Sequence, residues 1–196
     1  MKLFTEKKAE EFLEKEGFEI VGGVYVGEED DLREAVEKIG FPLVMKVSGK
    51  EIVHKSVLGG VELDINSYEK VLEVFEKLKK IDGFEEVFLQ RQLKGEWFLL
   101  GIKKTPEFGQ VVAFGAGGVE TEKLKDVSFR VVPFEREDAE EMISETEIGN
   151  NITDKKILVD NLVKLSDLCE KFPTIKELDI NPLMNGIVVD ARIVFE

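Results

Sequence analysis

Two oxygen-bearing side chains near the C-terminus have the spacing of a cation site. Asn185-Gly186, between the strand-like runs IKELDIN and GIVVDARIVF, is the strongest short signal for a two-residue hairpin turn, and that turn fixes the register outward from Met184 opposite Ile187. Counting back, Leu183 faces Val188, Pro182 faces Val189 and Asn181 faces Asp190. Directly opposed residues share a sheet face with Cβ atoms about 4.5 to 5.5 Å apart, so an amide oxygen meets a carboxylate. Hard cations such as Mg²⁺ take such ligands and keep positions for water and phosphate. Period-two alternation puts Asp179 and Glu177 on the same face and turns Leu178 and Ile180 to the core. The structural alternative, a polar edge with Asp179 and Arg192 paired across it, stays open on the hairpin alone.

The second chemical feature is His54, the one histidine, in EIVHKSVLGGV. Neutral imidazole is a competent nucleophile toward phosphorus, and Gly59-Gly60 would let the segment bend, although a lone histidine is more often structural. The third is a glycine run. Gly115, Gly117 and Gly118 directly follow the strand-like QVVAF and would let backbone N–H groups approach a ligand; a flexible turn is the alternative. GAGGVE places Glu120 where a dinucleotide fingerprint needs its last small residue, and GxxxxGK[ST] is absent, which disfavours Rossmann and P-loop readings. Lys46, Lys55, Lys123, Lys125 and Arg130 surround these motifs in sequence.

The elements that position these residues form an ordered globular chain. It has 196 residues, with 43% apolar and 35% charged side chains, enough for one large or two small domains. No apolar run reaches the roughly 18 to 20 residues of a membrane span, and Met1 leads straight into charged sequence rather than a signal peptide. Cys169 is the sole cysteine, so no internal disulfide or cysteine metal cluster is expected, and a reducing cytoplasm fits. The net charge of −14 opposes broad attraction to nucleic acid or anionic lipid, so a polyanionic ligand needs a local basic site. Interspersed Glu and Lys resemble the surface of heat-adapted proteins.

Helical spacing predicts helices over 5–16, 28–39, 68–80, 135–145 and 154–171. Strands are expected at 41–47 and 59–65, then in EEVFLQRQL, EWFLLGIKK and GQVVAFG, and finally in the C-terminal pair. Runs of strands without intervening helices imply an antiparallel sheet. The fold class is α+β in two lobes, divided as 1–92, with the leading helix, and 93–196.

KVSGKEIVHKSVLGGVEL, FGAGGVETEKLKDVSFRVVPF and ELDINPLMNGIVVDARIVF together resemble the ATP-grasp β component of ADP-forming acetate-CoA ligases, and the last two are similar in plan to the β subunit of succinyl-CoA synthetase. The resemblance implies an ATP-grasp fold, two α+β lobes with ATP bound between them. It further implies ATP/ADP and Mg²⁺ as cofactors, with Lys46 and Arg130 offsetting phosphate charge, Gly115, Gly117 and Gly118 near the nucleotide, and Asn181 and Asp190 as metal ligands. Asp126 and Glu122 also match, in either an orienting or a structural role. His54 matches the histidine of HKxxxGG that is phosphorylated in turnover. The implied reaction converts acyl-CoA, ADP and phosphate reversibly to the acid, CoA and ATP, with CoA binding and acyl-phosphate chemistry on an α partner in an α2β2 assembly.

The sequence departs from that pattern in places. Gln90-Arg91 stands where Gln-Glu is usual, Val57 replaces an aspartate, and the segment before the 154–171 helix is short. A usual glutamate becomes Trp97 in strict register, or Glu96 after a one-residue slip, which makes Glu96 the nucleotide-binding candidate. Two readings follow: an active phosphoryl-transfer subunit, or a non-catalytic nucleotide-binding or assembly subunit. A stand-alone carboxylate–amine ligase is the weaker third.

Overall fold

The computed structural model describes residues 2–49, 52, 55, 57–118 and 126–196. It divides into two compact units, one of residues 21–94 and one that joins 1–20 to 95–196. The chain starts in the larger unit with β1 (Lys2–Phe4), α1 (Glu6–Lys15) and β2 (Glu19–Ile20). The smaller unit follows with β3 (Val24–Val26), α2 (Leu32–Ile39), β4 (Leu43–Ser48), β5 (Val61–Ile65), α3 (Tyr68–Leu78) and β6 (Glu86–Arg91). The larger unit resumes with β7 (Phe98–Thr105), β8 (Gly109–Ala116), β9 (Val127–Val131), α4 (Arg136–Ser144), α5 (Glu147–Asn150), α6 (Lys156–Lys171), β10 (Ile175–Met184), β11 (Ile187–Val188) and β12 (Ala191–Phe195).

In the smaller unit, the described strands form an antiparallel sheet in the order β3-β6-β4-β5. Ser67 Oγ accepts the Lys70 N–H and caps α3, whose Val71, Val74, Phe75 and Leu78 then recur on one buried stripe. That stripe packs with Leu32 and Val36 of α2 against Leu43, Met45 and Val47 of β4 and Val87 and Leu89 of β6. The pleat turns Val44 and Lys46 to the other face, where Lys46 pairs in register with Phe88.

In the larger unit, the main path of described strands is β1-β12-β10-β7-β8-β9, with β11 and β2 attached beside β10. Alternate residues Leu100, Ile102, Val112, Phe114, Leu178, Ile180 and Ile193 share one core with Ala9, Leu13, Met142, Leu162 and Leu165 from the helices. The intervening residues, among them Gly101, Ala113, Asp179 and Arg192, lie on the opposite face in mutual register.

Three expectations change. The leading helix belongs to the larger unit and not to the first lobe: β1 pairs with the last strand, Phe4 opposite Ile193, and Phe12 packs its ring on Phe4, Phe172 and Phe195. Of the three consecutive strand runs, the first joins the other sheet, because β6 pairs with β3 and β4, whereas β7 and β8 form the expected hairpin closed at Thr105 and Gly109. The run GIVVDARIVF is two strands, with a bend at Val189 and Asp190. β9 and α5 are further elements, too short or too polar to show a period.

Candidate functional site

The C-terminal hairpin sets the geometry. Asn185 and Gly186 have φ of 52° and 81°, the left-handed pair that a tight hairpin turn demands. Met184 faces Ile187 and Leu183 faces Val188. The register continues through the bend: the Asn181 N–H donates to the Asp190 carbonyl at 3.1 Å, and Ile180 faces Ala191. On the other edge of β10, pairing with β7 slips between Ile180–Leu100 and Leu183–Phe98, so Asn181 and Pro182 together oppose Leu99 in a β-bulge. This explains a proline in an inner strand, since its nitrogen has no hydrogen to leave unpaired where the ladder breaks. The bulge re-aims Asn181, as bulges beside functional sites do.

Around Asn181 lies a face of oxygen donors. Burial pushes the Asp179 carboxyl above its ordinary range; Arg192 opposes this, while the negative charges of Asp190 and Glu177 add to it. Glu177 is held below its ordinary range, first by the Lys103 ammonium, 2.7 Å away, and it also accepts from Arg192 at 2.5 Å. Arg192 is opposite Asp179 in register, but its hydrogen bond goes to Glu177. Asn181 and Asp190 supply an amide oxygen and a carboxylate, the hard donors that suit Mg²⁺. Among the described residues no group of three or more His, Cys, Asp or Glu could hold a metal. A donor set this small fits a cation that draws its other ligands from water and phosphate.

The glycine run has structural reasons of its own. A Cβ at Gly115 would lie 2.3 Å from the Asp126 carbonyl oxygen on the neighbouring strand segment, and one at Gly117 would lie 2.7 to 3.0 Å from the Phe98 backbone. Gly118 has φ +89°, with the Trp97 indole 2.7 Å from where its Cβ would be. The Gly117 N–H donates to the Trp97 carbonyl at 2.7 Å and the Gly118 N–H to Asn181 Oδ1 at 2.7 Å. The expected approach of N–H groups to a ligand is thus, for these two, an approach to the protein itself.

Arg130 projects from β9 into a fork-to-fork pair with Glu145, at 2.9 and 2.7 Å, and Ser128 Oγ donates to the same carboxylate. Those bonds hold the Glu145 carboxyl down to about 2. The guanidinium expected to neutralise phosphate therefore already ties β9 to the end of α4. Sequence reading missed Glu145, the C-cap of α4, because its pairing with Arg130 joins segments that no local period connects. Asp126, the matching aspartate, accepts the Glu147 and Ile148 N–H groups at 2.7 and 2.9 Å and so caps α5.

Lys46 lies in β4 between Val61 and Phe88, only 4% exposed, with Nζ 5.8 Å from the Phe88 ring centroid. Burial of such a group is costly unless opposite charge or a π-face meets it, and this sets Lys46 apart from the solvated lysines of the surface. Glu96 is exposed and precedes β7, so it is not a strand residue; Trp97 is 38% exposed. Gln90 is buried and Arg91 exposed. His54, Glu120, Glu122, Lys123 and Lys125 lie outside the described residues. After His54, Lys55 O accepts the Leu58 and Gly60 N–H groups in a tight turn that leaves Val57 86% exposed.

The ATP-grasp domain model matches residues 1–195. The chain is 42% identical to acetate-CoA ligase (ADP-forming) II of Archaeoglobus fulgidus over 98% of its own length, and spans 30% of the length of that relative. It is 35% identical to the β subunit of acetate-CoA ligase (ADP-forming) I of Pyrococcus furiosus, covering 97% of this chain and 90% of that subunit. Its structure superposes on acetyl-coenzyme A synthetase 1 of Ca. Korarchaeum cryptofilum, solved with coenzyme A, Ca-AMPCP and HgCl+, with a TM-score of 0.89, 30% identity and coverage of 100% and 94%. The same synthetase with Mg-AMPPCP, its phosphohistidine segment pointing towards the nucleotide binding site, matches with a TM-score of 0.83, 29% identity and coverage of 100% and 93%.

Proposed function

We propose, for a chain that belongs to the ATP-grasp domain family and within it to the β components of ADP-forming acetate-CoA ligases, that it binds ADP and ATP and carries a phosphoryl group between them and an α partner. The observation that carries this reading is Asn181 held opposite Asp190 in a bulged hairpin, an amide and a carboxylate brought together on neighbouring strands. Asn181 and Asp190 would hold Mg²⁺, which supplies charge neutralisation to the phosphates when bound. Lys46 adds a buried cation-bearing side chain for the triphosphate, and Arg130 acts through Glu145 to fix β9 rather than as a loose phosphate ligand. Glu96 is the candidate for the nucleoside.

His54 is the phosphoryl carrier of this reading, supported by its place in HKxxxGG and by the phosphohistidine segment of the Korarchaeum relative. A ring nitrogen forms an N–P bond as the bond from phosphorus to the donor histidine of the α partner breaks. The terminal oxygen of ADP then attacks phosphorus, the N–P bond breaks, and neutral imidazole returns with ATP. Positioning and charge stabilisation do this work. CoA binding and acyl-phosphate formation belong to the α partner, in an α2β2 assembly in the cytoplasm. Among the described residues no helix is long and apolar enough to cross a membrane.

Mixing the chain with its α partner, acetyl-CoA, ADP, phosphate and Mg²⁺ yields ATP, and His54→Ala abolishes it. Full turnover by that variant overturns the carrier role. Val57, three residues after His54 in sequence where an aspartate is usual, favours a second reading, a nucleotide-binding subunit without phosphoryl transfer. Acid-labile phosphate on the wild-type chain during turnover rejects it.

A further inference from the structure

We propose that Trp97 is a positioning residue for the Asn181 amide and acts on it through Gly118. The inference rests on Asn181 being a cation ligand, as argued above. A side-chain amide has two different ends, and only its oxygen can bind a cation. An amide that presents its NH₂ end offers a cation donor hydrogens instead of lone pairs. The Gly118 N–H donates to Asn181 Oδ1 at 2.7 Å, and a donor in that place can be met by the oxygen end alone. One lone pair of Oδ1 is thereby engaged and the other keeps a fixed direction, while the Asn181 main chain is tied to Asp190 at 3.1 Å. The orientation of the ligating atom thus depends on where Gly118 is held.

Trp97 holds it from two sides. Its carbonyl accepts the N–H of Gly117, the preceding residue, at 2.7 Å. Its indole lies over Gly118, with Cε3 2.7 Å and Cζ3 3.2 Å from the position a Cβ would take, and Gly118 has the φ of +89° that glycine adopts without strain. Phe98, the next residue, closes the other flank, its backbone 2.7 to 3.0 Å from the Cβ position of Gly117. The contacts run from the indole to Gly118 and from there to the ligating oxygen. Trp97 touches neither cation nor nucleotide in this scheme; it sets the angle of the residue that does. Outer residues that orient a metal ligand commonly change metal affinity by about 10- to 100-fold when lost.

The test compares ADP affinity with excess Mg²⁺ and with EDTA, by calorimetry on the full chain. The ratio of the two dissociation constants isolates the cation. Wild type is expected to bind ADP more tightly with Mg²⁺. Trp97→Ala should lower that ratio about tenfold, leave the EDTA affinity unchanged, and be largely rescued by Trp97→Phe. Gly118→Ala should lower it too. A second readout leaves Trp97 in place: as the only tryptophan of the chain, its emission should change when Mg²⁺ is added to the ADP complex of wild type but not of Asn181→Ala. If Asn181→Ala and Asp190→Ala keep the wild-type ratio, the cation reading itself falls and this inference with it. If those two lose the ratio while Trp97→Ala keeps it, or if wild-type emission ignores Mg²⁺, the positioning role alone is overturned.

Discussion

Gly117→Ala separates a glycine required by packing from one required by a ligand. A Cβ at this position would stand 2.7, 2.8 and 3.0 Å from the carbonyl carbon, oxygen and nitrogen of Phe98, all main-chain atoms of β7. Ordinary carbon contacts lie at about 3.5 to 4.0 Å, so the two segments must part by roughly 0.5 to 1 Å. No flexible side chain can absorb that movement. Parting them breaks the 2.7 Å bond from the Gly117 N–H to the Trp97 carbonyl and strains the adjacent Phe98–Ala116 pair. Overpacking of this kind costs about 1 to 3 kcal/mol and the lost hydrogen bond about 1 more. At about 2 to 4 °C per kcal/mol for a chain of this size, the melting transition should fall by roughly 5 to 15 °C. Trp97 fluorescence is the natural probe because the indole borders the altered site, and circular dichroism reports the whole chain, so that separate transitions of the two units are not merged. Gly109→Ala is the control: nothing lies within 4 Å of its Cβ position, so it bears only the strain of its φ of +69°. A Gly117→Ala chain that melts with wild type while losing ADP affinity would refute the packing account and leave the glycine to the ligand.

Other outcomes follow from the same contacts. Glu145 has a lower pKa in the folded chain, about 2, than its ordinary 4.5, chiefly through Arg130, so its contribution is present above the ordinary value and is lost as pH falls toward about 2. Since its side chain is half exposed, that contribution is about 1 kcal/mol; Glu145→Gln should cost this much in urea unfolding at neutral pH and almost nothing near the acid end, and an equal cost at both refutes it. Phe12→Ala removes a ring whose centroid is 5.0 Å from Phe172 and 5.8 Å from Phe195, a loss of about 2 to 3 kcal/mol. Hydrogen exchange should then speed up in α1 and β12 while α3, in the other unit, is unchanged; acceleration confined to α3 would contradict the placement of α1.

Local signals were legible where chemistry and register are local. Asn185-Gly186 dictates the turn, and the turn dictates Asn181 opposite Asp190. Helix stripes such as Val71, Val74, Phe75 and Leu78 carry their own period. What the sequence hides is pairing between distant segments. Lys2–Phe4 has no periodicity in three residues, yet it edges the larger sheet because the last strand lies beside it. The bulge at Asn181-Pro182 is likewise invisible from the hairpin side, since it exists only against Leu99 and its neighbours on β7. Arg130 shows the third limit. Its type suits phosphate, but Glu145 is as good a bidentate partner and the fold brings it within 2.7 Å.

The residues that carry the family resemblance are therefore of two physical kinds, and they answer to different experiments. Gly115, Gly117, Asp126 and Arg130 have partners inside the larger unit that would select them even without a nucleotide: a neighbouring backbone, a helix N-terminus or a carboxylate fork. Loss of activity at these positions mixes stability with binding and identifies neither. Lys46 is of the second kind, because a buried amine costs more to desolvate than the Val or Met that would fill the same strand position. An interior apolar replacement of similar length, Lys46→Met, should hold or raise stability and weaken ATP and ADP binding. Asn181 belongs to both kinds, since the Gly118 N–H engages one lone pair of its Oδ1 and thereby fixes the direction of the other. Asn181→Asp keeps the acceptor for Gly118 and adds negative charge beside Asp179 and Asp190, so it separates the two demands: the fold is retained while the repulsion among three carboxylates shifts to whatever cation is present. Its stability should accordingly rise with Mg²⁺ more than wild type does, and a stability indifferent to Mg²⁺ would remove the cation from this hairpin.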